Sequence, residues 1–127
     1  MILTKLVPYN KIRRQLNKKD KIGIVSCNSC ARMCGTGGEK ELKILGNKLK
    51  KDGYNVVDMD LIGAPCMMNQ LKKEELHGDT TIVLACESAV YNLKKIFPNK
   101  KIISGLITLG LAALDKKNKP KLIKKFN

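Results

Sequence analysis

Apolar residues gather in short runs, and the spacing inside and between those runs decides the elements. "KIGIVSC" (21–27) holds Ile22, Ile24 and Val25 without polar alternation, with Lys and Asp before it and Asn-Ser after it. A short continuous run of branched residues predicts a strand buried on both faces. "TTIVLAC" (80–86) has the same character, and "YNVVDMDLIG" (54–63) and "KKIISGLITLG" (100–110) read as two further strands. Between them the period changes. In "TGGEKELKILGNKLKKDG" (36–53), Leu42, Leu45 and Leu49 share one helical face and Gly53 supplies the stop. Thr36 and Glu39 stand at capping-box spacing there, and Glu39 and Lys43 form an i, i+4 pair. "APCMMNQLKKEELHGD" (64–79) predicts a loop and a short helix. "ESAVYNLKKIFPNK" (87–100) places Val90, Leu93 and Phe97 at helical spacing and ends at Pro98. The opening "MILTKLVPYNKIRRQL" predicts a short extended piece and then a helix begun by Pro8, with Ile12 and Leu16 as its stripe.

The resulting order is β-α-β-α-β-α-β with crossovers of helical length. It predicts an α/β fold of three layers: a mainly parallel four-stranded sheet with helices on both faces, of flavodoxin or Rossmann type. The 127 residues suffice for one domain over the whole chain, 1–127. Residues 1–20 form a basic helical arm in this reading and residues 115–127 a basic tail, the lysine-rich "DKKNKPKLIKK" being loosely held.

A formal charge of +14 brings nucleic acid to mind, so its distribution matters. Residues 1–20 carry six Lys/Arg against one acid, and residues 100–127 carry eight against one, which leaves the middle nearly balanced. Only three Tyr and two Phe are present to stack on bases, and they are not interleaved with basic residues. Nucleic-acid binding is therefore not expected. The lysines fit a solvated surface or a basic face that docks an acidic partner. No apolar run approaches the length of a membrane span, and the start has no secretory pattern, so a cytoplasmic protein is expected.

The chemistry lies in the cysteines. "CNSCARMC" puts Cys27, Cys30 and Cys34 into eight residues, and Cys66 and Cys86 follow far downstream. Five is an odd number, and a disulfide framework suits neither a reducing compartment nor a core of this size. Cys27 ends the first predicted strand, Cys30 and Cys34 lie in the loop after it, Cys66 in the loop after the second, and Cys86 ends the third. All five map to one edge of a parallel sheet, where such folds bind ligands, and a strand order of 2-1-3-4 would make those three strands neighbours. A C-x-x-C-x-x-x-C loop offers three ligands, and either Cys66 or Cys86 completes a four-sulfur site. Iron–sulfur clusters and structural zinc both accept four thiolates. Zinc usually arrives on two C-x-x-C hooks and no second hook exists here. An iron–sulfur cluster, [4Fe–4S] foremost, is the expected cofactor and zinc the alternative. Gly37 and Gly38 open the long helix and are expected to bring its N–H groups close to the anionic cofactor.

These residues also carry a resemblance. "SCNSCARMCGTGGEKEL", "GAPCMMNQL", "IVLACESAV" and "ISGLITLGLA" resemble the small MetV-type iron–sulfur subunit associated with methylenetetrahydrofolate reductase. The opening segment looks like that family's start, so the likeness spans nearly the whole chain. It implies an α/β domain with an iron–sulfur cluster, partnered with a flavin-bearing catalytic subunit, and Cys27, Cys30, Cys34, Cys66 and Cys86 match the family's cysteine positions. Typical members continue into a second cysteine-rich segment that this sequence lacks, so the expectation is a short form.

The leading expectation is thus an electron-transfer subunit, itself non-catalytic, that exchanges single electrons with a flavoprotein in one-carbon metabolism. The alternative is a zinc-braced interaction module without redox activity. A thiol enzyme with an activated cysteine is a third possibility, disfavoured because no base stands near the cysteines in sequence. His77, the one histidine, is expected at a helix end as a structural or solvent-exposed residue, Glu87 as a helix-terminal acid, and Asp58 and Asp60 facing solvent. Met67 and Met68 suit either the core or a contact surface.

Overall fold

Two sheets divide the chain in the computed structural model, which describes residues 1–126. The first is entirely parallel and contains β2 (Lys21–Cys27), β3 (Asn55–Ile62), β4 (Thr80–Leu84) and β5 (Lys101–Ser104), in the order β3-β2-β4-β5. This is the 2-1-3-4 arrangement of the four predicted strands. The second sheet is antiparallel, with β1 (Ile2–Leu6), β6 (Leu106–Leu114) and β7 (Pro120–Lys125) in the order β1-β6-β7.

The parallel sheet forms the core because its central strands β2 and β4 have no polar face. Ile22, Ile24, Val25, Ile82, Val83 and Leu84 are fully buried, as strands covered on both sides require. The long helix α3 (Gly38–Lys51) buries the predicted Leu42, Leu45 and Leu49, and Glu39 pairs with Lys43 at 2.8 Å. Helix α5 (Glu87–Ile96) buries Ala89, Val90 and Leu93. Three shorter helices complete the set: α1 (Tyr9–Arg13), α2 (Cys30–Met33) and α4 (Met68–Leu71). Among the described residues no helix is long and apolar enough to cross a membrane.

Four expectations change. The run "KKIISGLITLG" is two strands, because the chain leaves the parallel sheet at Gly105. The N–H of Gly105 still bonds Val83 O, while its carbonyl accepts from the N–H of Val7 beside β1. The lysine-rich 115–127 segment is not simply a tail. Asp115 Oδ1 accepts the N–H groups of Lys117 and Lys119 in a turn, and β7 then pairs with β6. An edge strand exposed on both sides needs no apolar alternation, so the pattern was silent, and Pro120 sits at its first position as edge strands allow. In the 1–20 arm the expected extended piece is strand β1, but the helix after it has only five residues and stops short of Leu16. Finally, the capping box does not form. Gly37 is the N-cap of α3, and the Thr36 hydroxyl instead meets Ala31 O at 3.2 Å and Thr4 Oγ1 at 2.7 Å.

Candidate metal centre

Each cysteine takes its place from a strand or helix end. Cys27 is the last residue of β2, at the centre of the parallel sheet and buried there. The chain then turns through Asn28 and Ser29 into the single turn of α2, which starts at Cys30. Cys66 follows the end of β3, one residue after Pro65. Cys86 is the N-cap of α5, just past the end of β4. In the register, Cys27 lies beside Ile62 and Ser26 beside Leu84, so the carboxyl ends of β3, β2 and β4 are level. Parallel pairing of three adjacent strands thus brings Cys27, Cys66 and Cys86, far apart in sequence, to one rim.

Cys27, Cys30, Cys66 and Cys86 line one cavity of about 100 Å³. Ile2 and Thr4 of β1 help to close it, and none of the lining residues carries a fixed charge. That volume is several times what one water occupies. Among the described residues, no three His, Cys, Asp or Glu side chains are grouped to hold a single metal ion. The four thiols ring a space and do not meet at one point.

Burial pushes the Cys66 thiol up, and Cys86, Cys27 and Cys30, in that order among the thiols, push it the same way, while a backbone hydrogen bond opposes them. These three neighbours are the other three thiols of the cavity. Neighbouring thiolates and an uncharged pocket disfavour a further negative charge, so Cys66 is favoured as a thiol until a cation arrives. Compensating donors are backbone groups: the N–H of Ser29 donates to Cys27 Sγ at 3.3 Å. The N-terminus of α5 begins at the cavity wall, with Ser88 and Ala89 both in the lining.

Two groups of expected site residues are not part of the cavity lining. Cys34 ends α2, and its Sγ donates to Ile2 O at 3.5 Å, outside the cavity lining. Cys34 stands one helical turn after Cys30, and this hydrogen bond ties it to Ile2, a residue of the cavity wall. Gly37 and Gly38 do not deliver the α3 N-terminus to the thiols. They line a separate open groove with Asn28, Arg32 and Lys40. Their small size serves packing. A Cβ on Gly37 would stand 2.6 Å from Ala31 Cβ and 3.0 Å from Cys27 O, and Gly38 has φ +77°.

Other residues also sit differently from expectation. Asp58 Oδ2 accepts the N–H groups of His77 and Gly78 at 2.5 and 2.8 Å, so this carboxylate holds the chain entering β4. His77 is exposed, in line with its expected reading, but belongs to no helix. Asp60 Oδ2 is buried without a hydrogen-bond partner, and burial first, then Asp58 and Glu74, raise its pKa. Met67 is half exposed beside Cys66. A groove of about 210 Å³ between α1 and α3 is lined by residues such as Leu6, Val7, Ile12 and Leu45 and contains no thiol, so size does not mark the site in this molecule.

Sequence reasoning missed Ile2 and Thr4, because nothing in the first six residues announces that β1 folds across the sheet edge. It also missed Asn92 of α5, a buried amide whose position in "AVYNLKK" reads as an ordinary helix residue. Comparison with protein-family models, with curated proteins and with solved structures finds no match to this chain.

Proposed function

We propose that the four-thiol cavity holds an iron–sulfur cluster and that the protein exchanges single electrons with a flavoprotein partner. The observation that carries this reading is the gathering of Cys27, Cys30, Cys66 and Cys86, from three separate chain segments, around one uncharged cavity. Buried cysteines that merely fill a core have no reason to converge at one sheet edge. A ring of thiols around a space suits a polynuclear centre, whereas zinc needs four sulfurs at about 2.3 Å from one point. A cluster would supply one-electron redox chemistry. Cys27, Cys30, Cys66 and Cys86 would be its ligands, the Ser29 N–H would offset negative charge at Cys27 sulfur, and the apolar walls would limit water access.

The resemblance of the cysteine segments to the MetV-type subunit favours a methylenetetrahydrofolate reductase-like flavoprotein as the partner and a cytoplasmic, reducing setting, where thiols stay free. The crossovers β2–α3–β3 and β4–α5–β5 leave the sheet in opposite directions. With the usual right hand they put α3 and α5 on opposite faces, the three-layer, flavodoxin-like arrangement. A contact face is available too. Ile107, Leu114, Leu122 and Ile123 of the antiparallel sheet are exposed among Lys5, Lys121, Lys124 and Lys125, which suits an apolar patch with an acidic rim.

Anaerobic purification followed by iron and sulfide analysis tests the reading. About four irons and four sulfides per chain, with a broad visible absorption that bleaches on reduction, are expected. A colourless protein with one zinc per chain would replace it with the zinc-braced module.

A further inference from the structure

We propose that Asn92 is the positioning residue for Cys66, and that its side-chain amide sets where this ligand stands at the cavity. The inference rests on the cluster reading above and concerns the one cysteine of the four that no regular element holds.

Cys66 needs such help more than the others do. Cys27 ends a central strand, Cys30 opens a helix and Cys86 is a helix cap, so their backbones are fixed by ladders and turns. Cys66 is exposed and lies between β3 and the single turn of α4. Its loop is held instead by side chains. Ser29 Oγ donates to Gly63 O at 2.5 Å, and Gln70 Oε1 accepts the N–H of Ala64 at 2.7 Å. Asn92 completes the series, donating through Nδ2 to Cys66 O at 2.7 Å and more weakly to Pro65 O at 3.5 Å.

Asn92 is only 8% exposed and sits one turn along α5 from Ser88 and Ala89, which form part of the cavity wall. A buried amide on an otherwise apolar helix face is costly unless its donors are used. Here the donors are spent on the carbonyl of the ligand residue itself and of its neighbour. Rigid α5 thereby carries both Cys86, at its cap, and the anchor of Cys66. One helix fixes the spacing of two of the four sulfurs.

Asn92→Asp keeps the shape and removes the donor, Asn92→Leu keeps the bulk and removes all polarity, and Asn92→Gln keeps an amide. Each is compared with wild type after anaerobic reconstitution with ferrous iron and sulfide, the fold being checked by circular dichroism. The expected result is about a tenfold faster loss of cluster iron to a chelator in the Asp and Leu variants, the scale of a lost outer-shell partner, with a changed electron paramagnetic resonance spectrum after reduction and partial recovery in Gln. The second readout needs no cluster. In metal-free protein, alkylation mapped by mass spectrometry should be faster at Cys66 in the Asp and Leu variants and unchanged at Cys27. Wild-type chelation and alkylation rates in Asn92→Leu would overturn the proposal, since Asn92 would then only fill space. If wild type takes up no iron, the cluster reading falls, while the alkylation rates still decide whether Asn92 places Cys66. Should one variant fail to fold, the other two decide.

Discussion

Asp60 and Gly37 show what single residues do at this sheet edge. Asp60 lies on β3 with one carboxylate oxygen buried and unpartnered, and its pKa is raised by burial and by Asp58 and Glu74. A raised folded-state pKa means that the protonated form fits the fold better. Its stabilisation is present below the ordinary value of 3.8 and is lost as pH rises through the folded-state pKa. Asp60→Asn, which removes the buried charge beside Asp58 and Glu74, should therefore be more stable than wild type at pH 7. Urea titrations across pH should show that gap closing as the pH falls toward 3.8. At Gly37 the constraint is steric. A methyl group there would run into Ala31 Cβ and the carbonyls of Cys27 and Leu84, which are backbone or near-backbone atoms with little room to yield. Gly37→Ala should cost about 2 kcal/mol in metal-free protein, as overpacking of a core does. An unchanged urea midpoint would show that the strand ends are not packed as described.

At the scale of elements, the parallel sheet and its two long helices were legible because their pattern is local. Ile22, Ile24 and Val25 in one run, and Leu42, Leu45 and Leu49 at one helical face, declare strand and helix without reference to anything distant. The antiparallel sheet was not legible for the opposite reason. β1 pairs with β6 across more than a hundred residues, Ile2 opposite Leu111 and Leu6 opposite Leu106, and nothing local records that partnership. The same gap hid the closing of the cavity by Ile2 and Thr4 and the turning of Cys34 toward Ile2 O. It left the convergence of Cys27, Cys30, Cys66 and Cys86 readable, since that follows from strand ends alone. The short α1 shows how the N-terminal arm is tied down: Tyr9 Oη donates to Asp52 Oδ2 at 2.6 Å, at the C-terminal end of α3. Burial and this hydrogen bond push the Tyr9 pKa up to about 12 from 10.0. The tie stabilises the fold below pH 10.0 and is lost as pH rises through about 12. Tyr9→Phe should be less stable than wild type at neutral pH, by a fraction of a kcal/mol for a partly exposed bond, and should lack the alkaline step. Thermal melts at neutral and alkaline pH check this.

Over the whole molecule, charge and chemistry are segregated. The excess positive charge lies on the two ends of the chain, of which Lys5, Lys121, Lys124 and Lys125 fall in the one antiparallel sheet, while the cysteine cavity carries no charged lining. Such a division suits a protein that docks through one surface and keeps its redox group in a low-dielectric setting. Association with an acidic flavoprotein should then weaken as salt rises, because exposed charges are screened within about 8 Å at physiological ionic strength. Affinity independent of salt would place the contact elsewhere. The central claim, four thiols around one cluster with the fifth apart, is tested most directly by native mass spectrometry of anaerobically reconstituted wild type and single Cys→Ser variants. The account predicts that wild type and Cys34→Ser carry the mass of one cluster, and that Cys27→Ser, Cys30→Ser, Cys66→Ser and Cys86→Ser do not. Loss of the cluster mass in Cys34→Ser with retention in Cys66→Ser or Cys86→Ser would contradict it.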